Sequence, residues 1–241
     1  MSLSSPSVRG NATVPGAVDP TLAATSLFQG LDPLAAARLT AVAERRHIAR
    51  GDVIFRRGDA GAAMYVILRG KVRMGRPAGP DRENLLTLLG PGELLGELTL
   101  FDPAPRKATA TAITDVDLAV FTEAAVRDWL ATDPGAAWHF LKLMARRIRR
   151  VNDALENLLF ADVPRRVART LLSMARQFGD VTPEGIRVHH DLTQEQFAQH
   201  IGASRESVNK VLCELANRMI LRLESRSLVI LDAERLQRKA I

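Results

Sequence analysis

Cysteine is almost absent from this chain of 241 residues: Cys213 is the only one. An internal disulfide is therefore excluded, and so is a cluster held by several cysteines of one chain. Histidine is scarce too, and His47, His139, His189, His190 and His200 offer no second His or Cys at metal-binding spacing on one helix face. His189 and His190 are adjacent, so in a strand they point to opposite faces. No metal site is expected. No apolar run approaches the ~18 residues of a membrane-crossing helix, and no membrane partner is expected. Residues 1–20 are rich in Ser, Gly, Pro and Ala without a run of signal-peptide type. They read as a disordered tail on a cytoplasmic protein. Lysine is rare beside arginine, which supplies 28 of the 33 basic residues in a chain of net charge +6. Planar guanidinium groups suit phosphate and guanine, so the balance favours an anionic partner.

Three regimes follow the tail. From about Thr25 to Thr122, a short helical pattern over Leu31 to Ala43, opened by Asp32-Pro33, leads into short apolar segments. These are Val53 to Phe55, Met64 to Leu68, Val72 to Met74, Leu85 to Leu89, Ala108 to Ala112 and Leu118 to Phe121. Turn residues separate them, among them Gly51-Asp52, Gly58-Asp59, Arg69-Gly70, Pro77 to Asp81 and Gly90 to Gly92. That rhythm predicts a β-roll or sandwich. The two Arg-Gly-Asp triplets at 50–52 and 57–59 read as strand-edge turns.

The second regime is one long helix, from about Pro134 to Phe160. Leu141, Met144, Ile148, Val151, Leu155 and Leu158 recur at spacings of three and four and are flanked by charge. A narrow seam of this kind fits a partner helix of its own type, so a parallel homodimer is expected. The third regime starts near Asp162. A helix, a hairpin at Gly185 to Val188, two short helices and a last hairpin (221–231) make a winged helix-turn-helix. The expected fold class is α+β. Its parts are the tail (1–20), the roll (21–133), the dimerisation helix (134–161) and the DNA-binding domain (162–241).

The sharpest signal lies between Thr193 and Leu215. Thr193 and Gln196 form a capping-box pair, Gly202 suits a tight turn, and Ser204 caps a second helix. Val208, Val211, Leu212 and Leu215 make the buried stripe of that helix. Arg205, Glu206, Asn209 and Lys210 occupy the other face, in the turns that enter a major groove. Arg suits guanine O6 and N7, and Glu can accept from cytosine N4.

The run Gly202-Ala203-Ser204-Arg205-Glu206-Ser207-Val208 resembles the recognition-helix motif of the cyclic-AMP receptor protein family, within the CRP/FNR superfamily of bacterial regulators. The resemblance extends from about Leu27 to Leu236. It implies that Arg205 and Glu206 read TGTGA-like half-sites of a near-palindrome in double-stranded DNA. It also implies that Thr193, Gln194, Ser204, Asn209 and Lys210 stand at the DNA, with RNA polymerase as a further partner. Gly92 to Leu98 followed by Pro105 to Ala108 resembles the family's phosphate-binding cassette. By that resemblance the expected ligand is cyclic AMP. Gly96, Glu97, Leu98 and Arg106 would hold its phosphate and ribose, and Lys107, Arg147, Val151 and Asn152 would complete the pocket.

Two positions depart from the pattern. Lys107 stands where the family commonly has Ser or Thr, and Val151 where it commonly has a Thr facing adenine. Val151 can neither donate nor accept. The departures leave open weaker cyclic AMP binding, another nucleotide, or an empty pocket. A cyclic-nucleotide module acting on a protein partner is a more distant reading. No nucleophile–base pair or paired carboxylates support an enzyme.

Overall fold

The computed structural model describes residues 20–77 and 83–241. The expected tail lies outside the described residues except for Pro20, and most of the Pro77 to Asp81 turn also lies outside them. The chain opens with α1 (Pro20–Ala23) and α2 (Pro33–Ala41), the latter capped where Asp32 accepts from the Leu34 amide. Six strands follow: β1 (Glu44–Ile48), β2 (Val53–Phe55), β3 (Ala63–Arg69), β4 (Val72–Pro77), β5 (Glu83–Leu89) and β6 (Leu94–Leu95). After a single-turn helix, α3 (Leu98–Phe101), come β7 (Thr109–Ala112) and β8 (Val116–Thr122). They form two four-stranded antiparallel sheets, ordered β1-β8-β3-β6 and β2-β7-β4-β5.

Side-chain alternation along β3 explains why the roll has two apolar layers. Tyr65 and Ile67 join Phe55, Leu95, Leu118 and Val120 between the sheets. Met64, Val66 and Leu68 point the other way, onto Leu39, Trp129, Phe140 and Leu143 of the helices. The helices on that outer layer are α2, α4 (Glu123–Thr132) and the start of α5 (Pro134–Phe160). The two Arg-Gly-Asp triplets do sit at turns, and Gly51 and Gly58 both have positive φ.

The C-terminal unit contains α6 (Val163–Phe178), β9 (Gly179–Thr182), β10 (Gly185–His189), α7 (Gln194–Ile201) and α8 (Arg205–Asn217). It is completed by β11 (Leu221–Leu223), β12 (Ser227–Ile230) and α9 (Ala233–Lys239). Its sheet runs β11-β12-β10-β9, and Val167, Leu171, Phe197, Val208 and Leu215 centre its core. Leu85 and Leu88 of β5 belong to that same core, so the roll and the C-terminal unit share an apolar contact.

Polar contacts cross the same junction. The Leu85 amide donates to Gln199 Oε1 of α7 at 2.9 Å. Lys71 Nζ bonds the His189 carbonyl and pairs with Asp191 Oδ2 at 2.6 Å. Gln177, in the last turn of α6, donates to Glu93 at the start of the cassette.

Candidate nucleotide pocket and DNA-reading face

Arg106 is the centre of the first site. Its side chain is 4% exposed, yet among the described residues it has no carboxylate ion-pair partner. It donates instead to neutral oxygens: the Gly96 carbonyl, Thr99 Oγ1 at 2.8 Å and the Ala63 carbonyl at 2.5 Å. Its guanidinium lies 4.4 Å from the Phe55 ring centroid. Desolvation by burial lowers its pKa, and nearby Tyr65, Glu97 and Asp59 oppose that shift. A buried guanidinium held by dipoles and an aromatic face is short of a full counter-charge.

Gly96 explains the close packing here. Its φ is +79°, and a Cβ would lie 2.6 Å from Arg106 Nη1. A larger residue would be strained by the backbone conformation and would displace the guanidinium.

Glu97 is 1% exposed, and neither carboxylate oxygen receives a hydrogen bond among the described residues. Arg147 Nη1 of α5 lies 2.8 Å from Oε1, but its hydrogen bond goes to the Leu94 carbonyl at 3.1 Å. The Glu97–Arg147 contact is thus an ion pair without hydrogen-bond alignment, which leaves the carboxylate's acceptor capacity unused. An orphaned buried acceptor and an under-compensated buried cation stand on one cassette. A ribose hydroxyl and a phosphate match them in chemical type.

The remaining expected ligand residues are less enclosed. Leu98 is exposed at the start of α3. Lys107 is exposed, between buried Arg106 and Ala108. Val151 is 60% exposed and Asn152 is exposed, both on α5. Thr99, Phe55 and Tyr65, which hold Arg106, were not singled out in the sequence. Phe55 and Tyr65 read as ordinary strand core, and Thr99 stands one residue beyond the Gly92 to Leu98 run.

The same helix carries the expected seam. Leu141, Ile148, Leu155 and Leu158 are all exposed, as is Trp138. Met144 differs. It is partly buried and packs on the roll core beside Phe140 and Leu143. The first half of α5 therefore has two apolar stripes, one turned to its own roll and one left open. Sequence spacing alone merges them at Met144. Near the helix end, Leu158 Cδ1 lies 2.8 Å from where a Cβ on Gly202 would sit.

The second site is built on α7 and α8. Thr193 and Gln196 make the reciprocal capping box, and Gly202 ends α7 in the left-handed region at φ +73°. Ser204 Oγ then accepts from the Ser207 amide and opens α8. Thr193, Gln194, Ser204, Arg205, Glu206, Asn209 and Lys210 are all exposed. Arg205 is not free: its Nε and Nη2 both donate to Gln194 Oε1, at 3.2 and 2.8 Å.

His190 supports α7 from below. Its Nδ1 accepts from the Leu192 amide at 3.1 Å, and its ring packs 5.1 Å from Phe197. Burial holds its pKa down to about 4; Asp191 opposes the shift, and Lys71 and His189 add to it. The native imidazole is neutral where the unfolded one, near 6.5, takes up a proton. Its contribution is therefore complete above pH ~6.5 and disappears as the pH falls towards ~4. Urea unfolding of the parent and of His190→Gln, monitored between pH 7.5 and 4.5, should show a parent-specific loss of up to about 3 kcal/mol. Parallel pH profiles for the two proteins would remove this assignment.

A roll with an under-compensated guanidinium, a long helix and a capped helix-turn-helix define a class: a DNA-binding regulator with a built-in ligand module. Comparisons with known proteins agree. Residues 45–133 match the family described as "Cyclic nucleotide-binding domain", and residues 165–239 match "Crp-like helix-turn-helix domain".

The chain is 46% identical over 223 residues to the "CRP-like cAMP-activated global transcriptional regulator" of Mycobacterium tuberculosis, covering 92% of this chain and 100% of that protein. It is 36% identical over 215 residues to the "Cyclic AMP receptor protein" of Thermus thermophilus, covering 88% of this chain and 94% of that one. The solved structure of the c-di-GMP-responsive global regulator CLP from Xanthomonas campestris superposes with a TM-score of 0.68. It is 25% identical and covers 83% of this chain and 99% of that one. The chain belongs to the CRP/FNR family of transcription regulators. That family consists of DNA-binding regulators, not enzymes, and this member carries a cyclic-nucleotide-binding domain. Among the described residues no helix is long and apolar enough to cross a membrane.

Proposed function

We propose that the protein is a homodimeric transcription regulator controlled by a cyclic nucleotide, cyclic AMP in the first place, bound between Arg106 and Glu97. The observation that carries this reading is the pair itself: a buried guanidinium without a carboxylate partner and a buried carboxylate without a hydrogen bond. Arg106 would neutralise the phosphate, and Glu97 would accept from the ribose. The dimer joins two α5 helices along Leu141, Ile148, Val151, Leu155 and Leu158. Two recognition helices then address a near-palindromic TGTGA-like site about one helical turn apart. RNA polymerase completes the set of partners in a cytoplasmic setting.

The route from pocket to DNA runs through α5 and the cassette. Arg147 touches Glu97, while Glu93 meets both Arg150 of α5, at 4.0 Å, and Gln177 of α6. Moving the cassette biases the position of the C-terminal unit, a population shift between two dimer arrangements.

A second reading keeps the regulator and changes the ligand. It is favoured by the exposure of Lys107 and by apolar Val151 on the helix that borders the cassette.

Selection from a random duplex pool, with and without cyclic AMP, tests the function directly. Enrichment of a TGTGA palindrome that strengthens with cyclic AMP is the expected outcome. Arg205→Ala with Glu206→Ala should cost about thirtyfold or more in preference for the site, at about 1–3 kcal/mol for each of two base contacts. Non-specific, salt-dependent binding should survive. Unchanged preference in the double variant would remove the DNA-reading assignment. Enrichment indifferent to cyclic AMP but responsive to another nucleotide would establish the second reading.

A further inference from the structure

We infer that Gln194 is a positioning residue for sequence readout: it holds the Arg205 guanidinium by one edge and presents the other edge to a base. This rests on the reading that Arg205 meets a base pair. The chemistry is in the fork. A guanidinium has five N–H donors, shared among Nε, Nη1 and Nη2. Gln194 Oε1 takes the Nε proton and one on Nη2, at 3.2 and 2.8 Å. The Nη1 protons and the second Nη2 proton remain. One Nη1 proton and the second Nη2 proton form the end-on fork that matches guanine O6 and N7.

Two further features make the amide the principal restraint on that arginine. Gln194 is the first residue of α7, and the capping box at Thr193 fixes the backbone that carries it. Arg205 and Gln194 also border a cavity of about 80 Å³, together with Phe197, Val208 and Leu228. The arginine stem is therefore not locked by dense packing. Among the described residues Arg205 has no other hydrogen-bond or ion-pair partner. Without Gln194 the side chain loses its one directional contact and can swing over the cavity mouth. Fixing it beforehand removes part of the ordering cost at the moment of binding.

The test uses the full-length chain and competition between a duplex bearing the TGTGA palindrome and duplexes altered one base pair at a time. The base pair at which Arg205→Ala loses preference serves as the reference. Gln194→Met keeps the volume and removes the acceptor; Gln194→Glu keeps an acceptor. Gln194→Met should lower discrimination at the reference base pair about tenfold. It should leave discrimination at the other base pairs unchanged. Gln194→Glu should retain the discrimination, and Gln194→Met should add nothing in the Arg205→Ala background.

Unaltered discrimination in Gln194→Met overturns the inference. So does a loss at a different base pair, or one that persists in the Arg205→Ala background, since either marks direct contact of Gln194 with DNA. If Arg205→Ala alone changes nothing, the base-reading role itself is overturned, and this positioning role with it.

Discussion

Ile148→Asp should split the proposed α5 dimer into monomers and weaken operator binding by more than about a hundredfold. Ile148 is 61% exposed in the single chain, midway along a stripe that includes Leu141, Val151 and Leu155. Two such helices in parallel bring each Ile148 against its counterpart, and seam positions of this type drive coiled-coil pairing. A carboxylate at that point puts like charges across a desolvated seam, and each must shed its hydration to dock. The isolated chain loses nothing comparable, because that side chain already faces solvent. The effect on DNA follows from linkage. Two joined recognition helices gain ~10²–10⁴ over one through effective concentration, and a monomer forfeits that gain. Light scattering should give half the parent mass, while the far-ultraviolet circular dichroism stays the same. Ile148→Leu should behave as the parent. A monodisperse dimer of Ile148→Asp with parent operator affinity would rule out the α5 seam.

The parts most legible in the sequence were those whose physics is local. The capping box at Thr193, the left-handed turn at Gly202 and the Ser204 cap each depend on residues within a few positions, and each is present in the structure. The roll's strands were visible where they are apolar, as at Met64 to Leu68. β1 was not, because Glu44-Arg45-Arg46-His47 carries no apolar alternation; it is strand because β8 pairs with it along its full length. α4 was missed for a related reason: it buries only Val126 and Trp129.

Long-range placement was the least readable. Nothing in spacing tells that Gln199 reaches Leu85, that Lys71 reaches Asp191, or that Phe55 lies over Arg106. The double duty of α5 belongs here too. Its periodicity shows that apolar residues recur, and only the surrounding roll decides which stripe is covered.

Arg106→Gln should abolish nucleotide binding at concentrations that saturate the parent, a loss of at least about a hundredfold. Hydrogen bonds to charged groups each contribute about 1.5–3 kcal/mol. An anion buried without its cation costs about 3–5 kcal/mol more than one that is paired. Either figure alone reaches tenfold, and together they exceed a hundredfold. Glutamine can still donate one bond to the Gly96 or Ala63 carbonyl, so the fold should hold. Lys107→Ala provides the contrast. That side chain is exposed while Arg106 is 4% exposed, so removing it should change affinity by only a few fold through screened attraction.

Thermal unfolding with cyclic AMP separates these cases, since a ligand at a hundred times its Kd adds about 2.7 kcal/mol to stability. The parent and Lys107→Ala should both gain in melting temperature, and Arg106→Gln should gain nothing. If all three rise together, the nucleotide binds away from Arg106 and the pocket assignment fails. If none rises with cyclic AMP but the parent alone rises with another cyclic nucleotide, the guanidinium keeps its role and the identity of the base changes. That outcome would direct attention to the expected base-facing position Val151, which can neither donate nor accept a hydrogen bond.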